Sequence, residues 1–501
     1  MRLEDTTSES SAQASIHRAT APLRVLFAGM VVLLLLAAWD TLPQTPSGPG
    51  PLHGEGPANA LTLSACWALA ALFVLTYVAV VLEDLLVISR AWLASSGAVC
   101  MLLVLAHQWH WSEFFVLTLA QSSERVGELL LFLLAVMGVV QWMSHEGGFS
   151  RVLQALWSPH PRVFLLGVSV MSFFLSAILD NMTTCLLMLT LIKGRLPEGD
   201  LRWRFAGMVV VAANAGGVWS PLGDVTSTML WLGQKVSAHA LLTQAFWPSL
   251  LHGAIVLLLV IWGLPKTWGA SRDPCHVQAL AVASPEALTP VPEERAQGLW
   301  VFGLGLVAMV SIPGLAWLSG ATPAVCALGV LTFLCVGVSP LIHLAQPLPR
   351  TAAKGQMLRH LAQIDLASVC FIGAILMCME ALGQTGLLGE WAHRLQELLH
   401  GPWNTVWALG LLSAVVDNIP LVSAGMQMFD PSVFPKDDSL WVLLSYCAGT
   451  GGSLLIVGSA AGLVAMGQVG LKFNWYVWHF SARVLLAYIA GAALVGVLSR
   501  T

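Results

Sequence analysis

Ser176-Ala-Ile-Leu-Asp180-Asn181-Met-Thr183-Thr184 stands in the middle of an otherwise apolar run, Val163 to Ile192. A carboxylate at membrane depth costs about 2.5–3.5 kcal/mol on insertion scales, so an acid there points to function. The stretch has a twin. Ser413-Ala-Val-Val-Asp417-Asn418-Ile-Pro420-Leu421 lies inside a second apolar run, Trp403 to Phe429. Both read Ser-Ala-x-x-Asp-Asn, and the rest of the chain divides into two halves around them.

The composition sets the class. Of 501 residues, 57% are hydrophobic and 10% charged, whereas a soluble chain carries about 25% charged residues. Many apolar runs approach the roughly 18–20 residues needed to cross a bilayer. An all-α polytopic membrane protein is predicted, since no ten-residue alternation suggests a β-barrel. The nine cysteines are scattered without a Cys-x-x-Cys and read as small apolar helix residues rather than a metal or redox site. Twenty-one Trp fit anchoring at bilayer interfaces.

Residues 1–60 form an N-terminal region. A polar leader is followed by Leu23–Trp39, which reads either as a first transmembrane helix or as the core of a signal peptide. Asp40–Asn59 is a Pro/Gly-rich outer loop. The first half, 61–264, opens with spans at 61–82, 91–106 and 126–143, with 107–125 interfacial. Arg151, Arg162, Lys193, Arg195, Arg202 and Arg204 flank the run 163–192. The positive-inside rule then puts both its ends in the cytoplasm. The run is therefore a re-entrant hairpin with Asp180-Asn181 at its tip. Non-helical backbone survives at that depth only inside protein or along a wet cavity. Residues 205–232 are a broken helix, interrupted by Gly216-Gly217, Pro221 and Gly223. Ala245–Leu264 completes this half, and 265–298 is a cytoplasmic linker.

The second half, 299–501, repeats the order. Spans at 299–319, 323–344 and 366–382 (with Glu380) lead to an amphipathic connector, 387–400. A hairpin at 403–429 follows, then a Gly-interrupted helix at 440–466 and a last span at 476–498. Most of the 23 Lys and Arg fall on one face under this assignment, and the second hairpin then starts from the outside. Aligning Gly216-Gly217 with Gly451-Gly452 aligns Gly223 with Gly458 and Asp224 with Ser459, without a gap. The two Asp-Asn pairs fall into line after a two-residue shift. Two inverted-topology repeats are the expectation, each with a re-entrant hairpin and a broken helix, a pattern of secondary transporters.

The chemistry gathers at the two tips and the two breaks. The first half offers Asp180, Asn181, Thr183, Thr184, Asn214, Ser220, Asp224 and Thr226; the second offers Asp417, Asn418, Thr450, Ser453 and Ser459. Ser176, Ser413 and Glu380 are accessory candidates. These are oxygen donors, which suit hard cations. Na⁺ is expected at Asp180, Asn181, Asp417 and Asn418, with no resident cofactor. With no Lys or Arg at the same depth the site is net negative, which favours a cation over an anion. Carboxylates clustered away from water retain protons close to neutral pH. One group can then hold either H⁺ or Na⁺, which is enough for exchange. The rival reading of each Asp is a helix cap. His252 and His479 read as packing residues rather than proton relays.

Four stretches together resemble the NhaD-type sodium/proton antiporters of the ion transporter superfamily. They are Asp180-Asn-Met-Thr-Thr184, Asn214-Ala-Gly-Gly-Val-Trp-Ser-Pro-Leu-Gly-Asp224, Ser413-Ala-Val-Val-Asp-Asn-Ile-Pro420, and Cys447-Ala-Gly-Thr-Gly-Gly-Ser453 with Gly458-Ser-Ala-Ala-Gly462. The similarity runs from about residue 60 to the end. It implies Na⁺ or Li⁺ exchanged for H⁺ across the inner (cytoplasmic) membrane. It also implies a scaffold domain, a transport domain with two opposed hairpins, and a homodimer. One departure stands out. The family's span before the first hairpin carries acids near its end, where this chain reads Gln141-Trp-Met-Ser144-His145-Glu146. That leaves stoichiometry and pH profile open.

The alternatives are an anion (dicarboxylate or oxyanion) carrier of the same superfamily, or a membrane enzyme or sensor. Tips without carboxylates would favour the first. The second needs a nucleophile–base set or a soluble domain. No Gly-x-Ser-x-Gly, His-Glu-x-x-His or P-loop is present, so the chain is read as a non-enzyme with no nucleic-acid partner.

Overall fold

A computed structural model describes residues 61–86, 88–145, 156, 158, 160–264, 298–344 and 364–499. The N-terminal region 1–60, Arg151, most of the linker, and the basic loop with Arg350, Lys354 and Arg359 lie outside the described residues. Every regular element among the described residues is helical.

In chain order, the first half has α1 (Leu63–Val81), α2 (Arg90–Gln108), α3 (Glu113–His145), α4 (Pro161–Ser176), α5 (Asn181–Arg195), α6 (Asp200–Gly217), α7 (Val225–Leu232) and α8 (Phe246–Trp262). The second has α9 (Gly298–Ser319), α10 (Pro323–Thr332), α11 (Leu366–Gly383), α12 (Leu387–Leu398), α13 (Pro402–Leu412), α14 (Asn418–Met428), α15 (Ser439–Gly451), α16 (Ala460–Val469) and α17 (Ala482–Leu498). π-helical turns lengthen α8 and α17 at their starts and α10 at its end. Eight helices among the described residues are long and apolar enough to cross a membrane. Leu75, Leu258 and Val307 are examples of large apolar side chains left exposed on them, the surface that lipid covers in a multi-pass membrane protein.

The elements between these eight are shorter or less apolar, and local chemistry says why. Pro161 occupies the first turn of α4, where a missing N–H costs nothing. Asp180 caps α5, and Lys193 and Arg195 sit in its last turn, each charge at the helix end whose dipole favours it. Leu196 then turns extended (ψ 137°) ahead of Pro197, as a residue before proline must. The breaks at 177–180 and 413–417 divide the two apolar runs into paired helices, and 218–224 and 452–459 divide α6 from α7 and α15 from α16.

One expectation needs correction. Residues 113–125 are not a separate interfacial segment; they are the first turns of α3, a 33-residue helix. Such a helix spans about 50 Å, more than the roughly 30 Å hydrocarbon core. Glu113, Glu124 and Arg125 interrupt the hydrophobic run without interrupting the helix, because charged side chains at the end of an overlong helix sit beyond the apolar layer.

Packing sorts the helices into two groups. α1, α2, α3, α9, α10 and α11 pack mainly on one another. α4 to α8 and α13 to α17 form the second group, with α4, α5 and α16 against α6, and α13 against α15. α11 meets α14 and α3 meets α7 between the groups.

Candidate functional site

Each broken helix is held by the hairpin of its own half through a matching pair of contacts. Ser176 Oγ donates to the Ala213 carbonyl at 2.6 Å, and Ser413 Oγ donates to the Ala448 carbonyl at 2.8 Å. Where the hairpin passes, a glycine of each broken helix has no room for a side chain. A Cβ on Gly216 would lie 2.1 Å from the Phe173 carbonyl oxygen, and one on Gly451 would lie 2.0 Å from that of Gly410. The alignment of the two halves pairs Ala213 with Ala448, Gly216 with Gly451 and Phe173 with Gly410. The same backbone approach is therefore built twice. Ser176 and Ser413 are thus clasps between hairpin and break.

The two tips differ in how they are braced. Asp180 Oδ1 accepts the Thr183 N–H at 2.8 Å, and its other oxygen accepts the Thr183 hydroxyl. Asp417 occupies the same cap position of α14 but makes no side-chain cap hydrogen bond. Pro420 stands where Thr183 stands in the first half, and proline has no N–H to offer. Both acids are half-buried.

The amides and hydroxyls cross from one half to the other. Asn181 Nδ2 donates to Asn214 Oδ1 at 3.0 Å. Asn214 Nδ2 donates to Ser453 Oγ at 2.8 Å and Ser459 Oγ at 2.9 Å. Asn418 Nδ2 donates to Asp224 Oδ2 at 3.2 Å, and Thr226 Oγ donates to the same oxygen at 3.0 Å. Asn181, Asn214, Asp224, Thr226, Asn418, Ser453 and Ser459 are all buried. Asp224 and Ser459, the aligned pair, cap α7 and α16 respectively. Asn214 has Gly449 as its counterpart, so Asn418 reaches Asp224 directly where Asn181 reaches Ser459 through an intervening amide.

Some candidates point elsewhere. Thr450 Oγ donates to the Tyr446 carbonyl of its own helix, and Ser220 Oγ accepts the Leu222 N–H. Thr184 Oγ is buried without a hydrogen-bond partner in the structure. Glu380 is set apart from the tips: it pairs with Arg125 and accepts from Ser122 Oγ at 3.1 Å. No group of three His, Cys, Asp or Glu suited to a metal ion exists among the described residues. The converging donors are amide, hydroxyl and carboxylate oxygens, a hard set for a weakly held cation.

Residues 77–433 match the family described as "Citrate transporter". The chain belongs to this family of membrane transporters, within its NhaD-type branch. Among relatives of this family, the "Sodium/proton antiporter 1" of Arabidopsis thaliana is 34% identical over 85% of this chain and 71% of its own length. The "Sodium/proton antiporter 2" of the same plant is 32% identical over 84% of this chain and 97% of its own. The "Na(+)/H(+) antiporter NhaD" of Vibrio cholerae is 27% identical over 93% of this chain and 98% of its own.

The structure of this family member adds two residues the sequence reading passed over. The phenol oxygen of Tyr77, on α1, accepts the Asp417 N–H at 3.0 Å. Arg90, at the start of α2, is the basic side chain whose charge reaches Asp417. Its guanidinium donates to Ser368 Oγ at 3.2 Å and lies 5.1 Å over the Phe371 ring. A signal for Tyr77 existed: the chain has 4 Tyr against 21 Trp and 18 Phe, so a phenol inside an apolar run stands out.

Proposed function

We propose that the chain is a secondary active transporter that exchanges Na⁺, or Li⁺, for H⁺ across the inner (cytoplasmic) membrane. The observation that carries this reading is the bond from Asn418 to Asp224, which joins a hairpin tip of one half to the helix break of the other beside Asp417. Na⁺ would be held by Asp180, Asn181, Asp417 and Asn418 with help from Asp224 and the neighbouring hydroxyls. Protonation of the same carboxylates would displace it, so each ion drives the other. The sodium/proton antiporters among its relatives support the cation assignment. We read the two hairpins as re-entrant and opposed, the halves as inverted repeats, the long-helix group as scaffold and the other group as transport domain, working by alternating access in a homodimer. The duplicated Ser-to-carbonyl clasp and the two packing groups support that reading.

Anion carriage is the second reading, favoured by the family's description as citrate transporters. The carboxylates at the tips weigh against it, since they would repel a tricarboxylate. Proteoliposomes with a lumenal pH dye separate the two. Outside Na⁺ or Li⁺ should raise the lumenal pH, with K⁺ and succinate inert. A response to succinate or citrate with none to Na⁺ would transfer the chain to the second reading.

A further inference from the structure

We propose that Tyr77 is a positioning residue for the second hairpin tip, doing from α1 what Thr183 does from within the first hairpin. This inference rests on the reading of Asp417 as an ion-binding group.

Three observations converge. In the first half the tip braces itself. Asp180 takes both the N–H and the hydroxyl of Thr183, which fixes the start of α5 and engages each carboxylate oxygen once. In the second half Pro420 and Leu421 replace Thr183 and Thr184, so position 420 offers neither the N–H nor the hydroxyl that Thr183 gives Asp180, and position 421 offers no hydroxyl. Asp417 consequently makes no side-chain cap hydrogen bond. The brace arrives from outside: Tyr77 Oη accepts the Asp417 N–H at 3.0 Å, and Tyr77 is buried. The other three tyrosines, Tyr446, Tyr476 and Tyr488, each donate to backbone carbonyls. Tyr77 instead accepts from the one backbone amide that belongs to the acid itself.

The arrangement has a chemical consequence. With the tip braced through its backbone, the Asp417 carboxylate faces the N–H groups of Asn418 and Ile419 but carries no hydroxyl brace, whereas Asp180 takes both the N–H and the hydroxyl of Thr183. The brace also runs between the two helix groups, since α1 belongs to the long-helix group and α14 to the other. Cation affinity at Asp417 thus depends on a contact made by a helix that carries none of the ion's ligands.

Tyr77→Phe removes the acceptor and keeps the ring. Loss of one hydrogen bond that orders the ligand should raise the apparent KM for Na⁺ about fivefold with maximal rate changed less than about twofold. Hydrogen–deuterium exchange should speed up in the peptide containing 413–421 and stay unchanged in the one containing 176–184. A double-mutant cycle with Pro420→Thr restores an N–H and a hydroxyl to the second tip. The KM penalty of Tyr77→Phe should shrink in that background, while a packing role would leave it undiminished. If Tyr77→Phe inserts poorly, Tyr77→Met, which also lacks the oxygen, replaces it in every arm. Unchanged KM and unchanged exchange of the second tip would overturn the inference. A wild-type chain inactive in Na⁺/H⁺ exchange would instead overturn the proposed function, and the exchange measurement on the two tips would still decide the brace.

Discussion

Asp180 and Asp417 hold the same position at the start of a helix, yet only Asp180 makes a side-chain cap hydrogen bond. Substitution by Asn tests what each acid does. Asn caps a helix about as well as Asp, so Asp180→Asn should leave the first tip folded and the protein inserted in normal amount. It cannot release a proton, and its amide N–H₂ repels a cation. Asp180→Asn and Asp417→Asn should therefore each abolish exchange in the vesicle dye assay at matched insertion. Full-rate exchange by the double variant would discard both acids and leave Asp224 as the leading candidate. Asn181→Ala and Asn418→Ala should raise the apparent KM for Na⁺ several-fold, roughly the effect of one lost neutral ligand, with a smaller effect on maximal rate.

At the scale of elements, the close approach of each hairpin to its broken helix is the most demanding contact. Gly216→Ala and Gly451→Ala would drive a methyl group into a backbone carbonyl, with no flexible side chain to move aside. Overpacking of this kind costs about 1–3 kcal/mol or more, so both variants should melt earlier in detergent. Gly127→Ala and Gly303→Ala, where nothing lies within 4 Å, should melt as wild type. An indifferent Gly216→Ala would show that the break does not depend on this contact. The helix breaks were legible in the sequence because their punctuation is local: Gly, Pro and Asp at positions where a helix cannot continue or must begin. The start of α3 was not, because hydropathy marks where lipid ends and not where a helix ends. Glu380 looked like a candidate because an acid in an apolar run is conspicuous; its partner Arg125 is 255 residues away, beyond any local pattern. Tyr77 escaped for the same reason, its contact with Asp417 spanning 340 residues.

At the scale of the whole molecule, one site shared between Na⁺ and H⁺ makes the two ions competitors. The apparent Na⁺ affinity should fall as pH drops, because each proton bound removes the charge that holds the cation. Flux measured from about pH 6 to 9, a window bracketing the range where clustered buried carboxylates titrate, should show KM rising toward acid. A KM independent of pH would point to separate pathways. Orientation is open to labelling: cysteines placed near 193–204 should react from the cytoplasmic side and those near 430–438 from the outside. Reaction of both from one side would remove the inverted repeat. The external brace on the second tip also bears on how the chain is made. The first hairpin carries within itself the groups that brace its acid, Thr183 N–H and hydroxyl, and that brace can form as the hairpin is synthesised. The second cannot rely on itself, and the phenol it needs was made 340 residues earlier, about 20–70 s at ordinary elongation rates. Synthesis therefore delivers the dependent tip to a partner already in place. If the two halves are produced as separate chains, the second should emerge with an unsettled tip that becomes ordered only when the first half docks.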